Sequence, residues 1–335
     1  MSKQPSAPDS VLVYVGLDRV GDALLKLPFV RGLRTAFPKA HITWLAGKET
    51  SVYASIMAPT VEGLLDEVIE NAGIGHHPSE LLRRALPGRR FDMIIDSQRI
   101  FWASLSLWRI PHRTFISPAA HFLISSRKPA KGYTFPKLMQ RQLLDLLEIA
   151  SGQSFPSPAK LDIDIPQIFH DGARKMMPEG PTYVALSPGA GGLPKCWPLD
   201  RFIAVAKAQV ERGRIPAFLL GPQEEDWLPT IRDGVPEAVF PLQEKGIAQS
   251  MNFNPLLTIA LAKHFTAALS NDSGTGHMLA VGGVPLVSLF GRTVPEKFMP
   301  MTDLLTIVRA QDFGGREMDT IPVEPVLDAL EKALN

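Results

Sequence analysis

The chain lacks several things. It holds a single cysteine, Cys196, in 335 residues. That excludes an internal disulfide framework and a multi-cysteine metal site, and it fits a reducing compartment. No charge sign is in excess: 35 Lys plus Arg stand against 34 Asp plus Glu. An anionic partner must therefore be met by a local basic patch, and overall charge gives no hint of nucleic acid. No run approaches the roughly 18–20 apolar residues of a membrane-spanning helix. The opening 1-MSKQPSAPDS-10 has no apolar signal-peptide core. A soluble, cytoplasmic protein is expected, with surface contact to a membrane left open because that needs no spanning segment. A G-x-G-x-x-G fingerprint, a G-K-[ST] phosphate loop, low-complexity tracts and solenoid repeats are also missing.

What is present is a globular composition, 45% hydrophobic and 21% charged. The length fits two domains of about 100–200 residues each. Short β-branched runs alternate with helix-like stretches. Val11–Val15, His41–Leu45 and Phe91–Asp96 read as strands, with a helix from Ala23 to Phe37. Lys160–Pro166 is a strand-like alternation. A second series follows: strands Tyr183–Ser187, Ile215–Leu220, Ala267–Ser270 and Val284–Phe290. The helices between them are Leu199–Arg212, Leu256–Lys263 and Gly276–Val281. This alternation predicts α/β architecture with mostly parallel sheets. The expected division is a Rossmann-like domain over 1–165, a linker over 166–179 and a second Rossmann-like domain over 180–320. The two domains are expected to face each other across a cleft. The closing helix, near 321–335, could pack on either.

In open α/β sheets, ligands collect beyond the carboxyl ends of strands. Three loops at such ends are unusual. In 16-GLDRVGDALLKLP-28, Asp22 is either an N-cap or a carboxylate able to take a proton from a hydroxyl. In 187-SPGAGGLPKCWPLDRF-202, glycines and Lys195 would make a phosphate cradle, or only a tight turn with a solvated cation. Trp197 reads as packing beneath that loop. In 269-LSNDSGTGHMLAVGG-283, a Gly-rich turn into a helix aims free amides at one point and attracts anions. His277, one turn in, is placed to reach a phosphate oxygen. Gly282 and Gly283 read as a turn. Glu224 and Glu225, after a strand, are either a solvated helix start or an acid reaching a ribose.

The loops together resemble glycosyltransferase family nine, the ADP-heptose:lipopolysaccharide heptosyltransferases. The resemblance runs from about Val11 to Pro300 on four elements. They are Gly21-Asp22 with Leu27-Pro28, then Phe91–Asp96, then Ser187-Pro188-Gly189-Ala190 with Lys195-x-Trp197-Pro198. The last is Asn271-Asp272-Ser273-Gly274-x-x-His277, leading to Leu289-Phe290-Gly291-x-Thr293-x-Pro295. Thr275-Gly276 and Gly16 depart from the pattern of many relatives. The resemblance implies a GT-B fold and metal-independent, inverting transfer of a heptose from an ADP-sugar to a lipopolysaccharide core or other surface glycan. It makes Asp22 the general base. Lys195 and the amides of Ser273, Gly274 and Thr275 would neutralise the diphosphate. Ser187, Gly189, Asp272 and His277 would complete the donor site, and Glu224 or Glu225 would touch the ribose.

No metal or other cofactor is expected. Asp162-Ile163-Asp164 matches a bare D-x-D pattern but reads as two solvent-facing acids. His76-His77 has no cysteine or paired ligand at helical spacing. For the acceptor side, the candidates are Arg19 and two basic clusters. One holds Arg109 and Arg113 beside Phe101, Trp102, Trp108 and Phe115; the other holds Arg127, Lys128 and Lys131. They are either a solvated face or a surface meeting anionic sugars or the headgroups of the inner membrane. A lipid-linked or oligosaccharide acceptor is expected, and no nucleic acid. A nucleotide-sugar epimerase and a non-catalytic nucleotide-sugar binder are the alternatives.

Overall fold

A computed structural model describes residues 7–75, 77–243, 251 and 253–335. His76 lies outside the described residues. The chain forms two compact units, 1–158 and 159–335.

The first unit runs β1 (Ser10–Val15), α1 (Val20–Ala36), β2 (His41–Ala46), β3 (Glu67–Ile69), β4 (Phe91–Asp96), α2 (Phe101–Trp108), β5 (His112–Ile116) and α3 (Met139–Ser151). Its strands form one sheet in the order β3-β2-β1-β4-β5, and every pairing is parallel. A parallel sheet is covered on both faces, so its central strand has no polar side. Val11 to Val15 are accordingly all fully buried. α1 lies against α3 at Gly32, where a Cβ would come within 2.6 Å of Leu147 Cδ2.

The second unit runs α4 (Gln167–Met176), β6 (Tyr183–Ser187), α5 (Leu199–Glu211), β7 (Ile215–Phe218), α6 (Leu228–Gly234), α7 (Pro255–Ala262), β8 (Phe265–Asn271), α8 (Gly274–Gly282), β9 (Leu286–Phe290), α9 (Pro295–Phe298), β10 (Leu305–Arg309) and α10 (Val323–Leu334). The sheet order is β10-β9-β8-β6-β7, again all parallel. α10 packs on this unit: Val326 and Leu330 are fully buried in its core. The 166–179 stretch, read from sequence as a linker, carries α4, which packs on α7.

Two local readings are corrected. Lys160–Pro166 forms no strand, although its alternation is real: Leu161 and Ile165 are buried while Asp162 and Asp164 are exposed. It has the side-chain pattern of a strand but no sheet partner. Gly282 is more than a turn residue, because a Cβ there would sit 2.2 Å from Ala262 Cβ. It lets α8 close onto α7, while Gly283 supplies the left-handed turn at φ 86°.

Candidate active site

Each strand order reverses once, and the reversal opens a crevice at the carboxyl ends of the two strands flanking it. In the first unit that point lies between β1 and β4; in the second, between β6 and β8. The 16–22 loop leaves β1, and the 188–198 and 272–274 loops leave β6 and β8. The unusual loops therefore stand at the switch points of their own units.

In the second unit one residue ties two of these loops together. Asn271, fully buried at the end of β8, donates from Nδ2 to the Pro188 carbonyl at 2.7 Å. Its Oδ1 accepts from the Trp197 amide at 3.1 Å. Trp197 in turn donates its indole N–H to the Ile321 carbonyl at 2.9 Å and meets Phe202 edge-on, so it packs beneath the loop. Held this way, Lys195 reaches across to Asp272, with Nζ to Oδ2 at 3.2 Å. The lysine side chain stays 48% exposed. The Asp272 side chain is 10% exposed, so the pair is only partly open to solvent and contributes modestly to stability.

Ser273 caps α8, its hydroxyl accepting from the Gly276 amide at 3.4 Å. Gly276 is required because a Cβ would lie 2.6 Å from Ser270 Oγ. The Gly274 and Thr275 amides begin the first turn, where a helix leaves its N–H groups without internal acceptors. His277 is buried, and burial pushes its pKa down to about 4, with Lys195 adding to the effect and Asp272 opposing it. It is a neutral imidazole at neutral pH, so it can offer a hydrogen bond to a phosphate but not a charge. Ser187, at the end of β6, is buried and its hydroxyl has no hydrogen-bond partner among the described residues.

The structure separates the two candidate glutamates. Glu224 is buried and accepts from the Gly221 amide at 3.0 Å; burial raises its pKa. Its carboxyl group fills the space above Gly189, where a Cβ would come within 2.5 Å of Glu224 Cδ. Glu225 is exposed. Gly189 thus admits Glu224 to the 188–198 loop.

In the first unit Asp22 is the third residue of α1. The N-cap position belongs to Arg19, with no side-chain cap bond, so the capping reading of Asp22 fails. Among the described residues Asp22 is half-buried with no hydrogen-bond partner. Beneath it lies a network that the sequence reading missed. Asp18 and Lys26 form an ion pair at 2.9 Å, their side chains 0% and 5% exposed. Asp18 also accepts from Trp44 Nε1 at 2.9 Å and from Ser51 Oγ. Lys26 also donates to the Leu17 carbonyl. Lys26 lies one helical turn after Asp22, so the pair fixes the loop that presents the free carboxylate. Only the apolar-to-polar step from Leu25 to Lys26 inside a helix could have signalled it.

Arg99, also unforeseen, follows β4 at the same edge of the sheet and stacks over Phe135 at 3.6 Å from the ring centroid. Asp96, by contrast, is internal. Burial pushes its carboxyl up to about 6, opposed by hydrogen bonds from Ser104, Gln98 and Ser117.

The acceptor-side candidates scatter. Arg19 is exposed and pairs with Glu49 at 3.4 Å. Arg113 pairs with Asp92 at 3.3 Å. Arg109 donates to the Leu81 and Arg83 carbonyls at the amino edge of the sheet. Arg127 donates to the Ala150 carbonyl, which ties its loop to the end of α3. Lys128 and Lys131 are exposed. Of the aromatics near Arg109, Phe115 is core, while Phe101 and Trp108 are 42% and 50% exposed. Among the described residues no three His, Cys, Asp or Glu side chains gather as metal ligands.

The family model described as glycosyltransferase family 9 (heptosyltransferase) matches residues 80–320. That span holds every loop of the second unit's site and leaves the 16–22 loop outside. The chain is 24% identical to lipooligosaccharide heptosyltransferase 2 of Haemophilus influenzae, over 96% of this chain and 97% of that protein. A solved family 9 glycosyltransferase from Veillonella parvula superposes with a TM-score of 0.71 at 20% identity, covering 97% of each chain. An Escherichia coli heptosyltransferase solved with ADP superposes with a TM-score of 0.65 at 18% identity, over 97% of this chain and 99% of that one. At these identities the structural likeness shows the GT-B fold alone.

Proposed function

The chain belongs to glycosyltransferase family 9, and on that premise we propose that it moves a heptose, or a closely related sugar, from an ADP-sugar to a lipopolysaccharide core or similar surface glycan. The transfer inverts the anomeric centre and uses no metal ion. Membership of a transferase family sets aside the epimerase and the non-catalytic binder. The heptosyl group and the lipopolysaccharide acceptor are inferred from the similarity to lipooligosaccharide and lipopolysaccharide heptosyltransferases, and the ADP leaving group from the heptosyltransferase solved with ADP. The acceptor is membrane-linked, and the enzyme works at the cytoplasmic face of the inner membrane.

One observation carries this reading: Lys195 and the free amides opening α8 converge at the β6–β8 switch point, tied together through Asn271. As ADP departs, negative charge grows on the β-phosphate. Fixed N–H groups and an ammonium stabilise that charge without any reorganisation. Lys195 then exchanges Asp272 for phosphate, His277 adds a neutral hydrogen bond, and Glu224 takes the ribose. Asp22 accepts the proton from the acceptor hydroxyl as its oxygen bonds to the anomeric carbon and the bond to the β-phosphate breaks. A carboxylate with no competing hydrogen bond among the described residues suits that role.

The test is Asp22→Asn. General-base assistance is worth about 10²–10⁴-fold, so kcat should fall by that much while ADP binds as before. A kcat within a few-fold of wild type would remove Asp22 from the chemistry. Lys195→Ala should instead weaken ADP binding.

A further inference from the structure

We propose that Arg83, Arg84, Arg90 and Arg109, together with Leu82 and Trp108, form the surface by which the first unit rests on an anionic phospholipid bilayer. The inference takes its purpose from the reading of a membrane-linked acceptor, but the binding itself can be measured without it.

The segment 82-LRRALPGRR-90 ends where β4 begins, and 108-WRIP-111 joins α2 to β5. In a parallel sheet both lie at the amino edge, opposite the carboxyl edge that carries Asp22. β4 is six residues long, so the two edges are roughly 20 Å apart at about 3.3 Å per residue. The patch is therefore separate from the loop that bears Asp22, and of the basic residues considered for the acceptor it takes in Arg109 alone.

Its charge is uncompensated. Two neighbouring arginines have acidic partners: Arg89 pairs with Glu67 and Arg113 with Asp92. Among the described residues Arg83, Arg84, Arg90 and Arg109 have none. Arg109 instead donates to the carbonyls of Leu81 and Arg83, which fixes the turn bearing Arg83 and Arg84. Two adjoining hollows, of about 540 and 390 Å³, share Arg84, Arg109 and Pro111 in their walls. Planar guanidinium groups in such a wall match phosphate oxygens two at a time.

The apolar residues select a bilayer over a soluble anion. Leu82 is 87% exposed and Trp108 50% exposed, a cost in water that a dissolved phosphate would not relieve. At a membrane the leucine enters the headgroup boundary and the indole takes its interfacial position, while the arginines meet lipid phosphates. The 127–131 cluster offers less, since Arg127 is spent on the end of α3.

The experiment is sedimentation of the full chain with phosphatidylcholine vesicles, with and without phosphatidylglycerol. Each basic residue near an anionic surface contributes about fivefold to binding. The exposed triple variant Arg83→Gln/Arg84→Gln/Arg90→Gln should thus lose roughly a hundredfold in partitioning to phosphatidylglycerol vesicles, and wild-type binding should weaken with salt. Leu82→Ser should weaken binding where salt has screened the charges. Turnover on a soluble acceptor should be unchanged in every variant. The proposal is overturned if the triple variant binds like wild type, or if wild type shows no preference for phosphatidylglycerol. It is also overturned if the triple variant loses turnover while keeping vesicle binding, which would assign the arginines to the acceptor. If the transferase reading fails instead, no ADP-sugar turns over in any variant and the vesicle result stands.

Discussion

Asn271→Ala would test the donor site at its joint. The substitution removes both the bond to the Pro188 carbonyl and the bond from the Trp197 amide, and both of those residues are buried. A buried polar group left unpaired costs about 1–3 kcal/mol, so two would cost about 2–6 kcal/mol if the loop stayed in place. It need not stay. Gly191 and Lys195 are exposed, so the 188–198 loop can turn the freed groups to water, and the lower end, about 2 kcal/mol, should win. The ordering lost must then be restored when donor binds. Each 1.4 kcal/mol so transferred is tenfold in affinity, and ADP binding should weaken by about tenfold or more. Urea unfolding and calorimetric titration with ADP measure the two parts separately. Asn271→Asp discriminates further: it keeps the acceptor for Trp197 but sets a carboxylate oxygen against the Pro188 carbonyl at 2.7 Å. Wild-type stability together with ADP affinity within twofold, in either variant, would refute the idea that this amide joins the loops.

Lys26→Met leaves the Asp18 carboxylate buried without its cation, which should cost about 3–5 kcal/mol in urea unfolding. Asp18→Asn/Lys26→Met should cost less than the two single changes summed, and additivity would show that the pair is not coupled. The raised pKa of Asp96, about 6 against an ordinary 3.8, has a definite sign. The stability it lends is full below the unfolded value, near pH 4, and is lost as pH rises through 6. By about pH 8 the loss is on the order of 3 kcal/mol. Asp96→Asn should abolish that part of the pH dependence in thermal melts, gaining on wild type above pH 6; parallel curves for the two proteins would contradict it.

The parts legible in the sequence were those in which one residue type does one thing locally. Val11–Val15 had to be a covered strand because the Tyr14 hydroxyl is its one polar side-chain group. Gly189, Lys195 and 273-SGTGH-277 stood out as glycine-rich turns at strand ends, and they lie beyond the carboxyl ends of β6 and β8. Elements whose composition says little were not legible: α2 and β5 are short, and α3 and β10 lie in stretches to which the sequence reading assigned no element. Lys160–Pro166 was misread because strand periodicity is a property of side chains, whereas a strand needs a partner.

The sequence alone determined the class of the protein: two parallel α/β series, no disulfide framework, glycine-rich loops at strand ends and a family pattern along most of the chain. The tertiary structure decided which of two adjacent glutamates reaches Gly189, that Asp22 is not the cap of α1 and has no hydrogen-bond partner among the described residues, that Asp18 is closed into an ion pair with Lys26, and that His277 is neutral. Backbone preference and periodicity act over a few residues and can be read from neighbours. Burial, hydrogen-bond partners and proton affinity are set by groups distant along the chain, as with Asn271 and Pro188, and become defined only when folding brings those groups together.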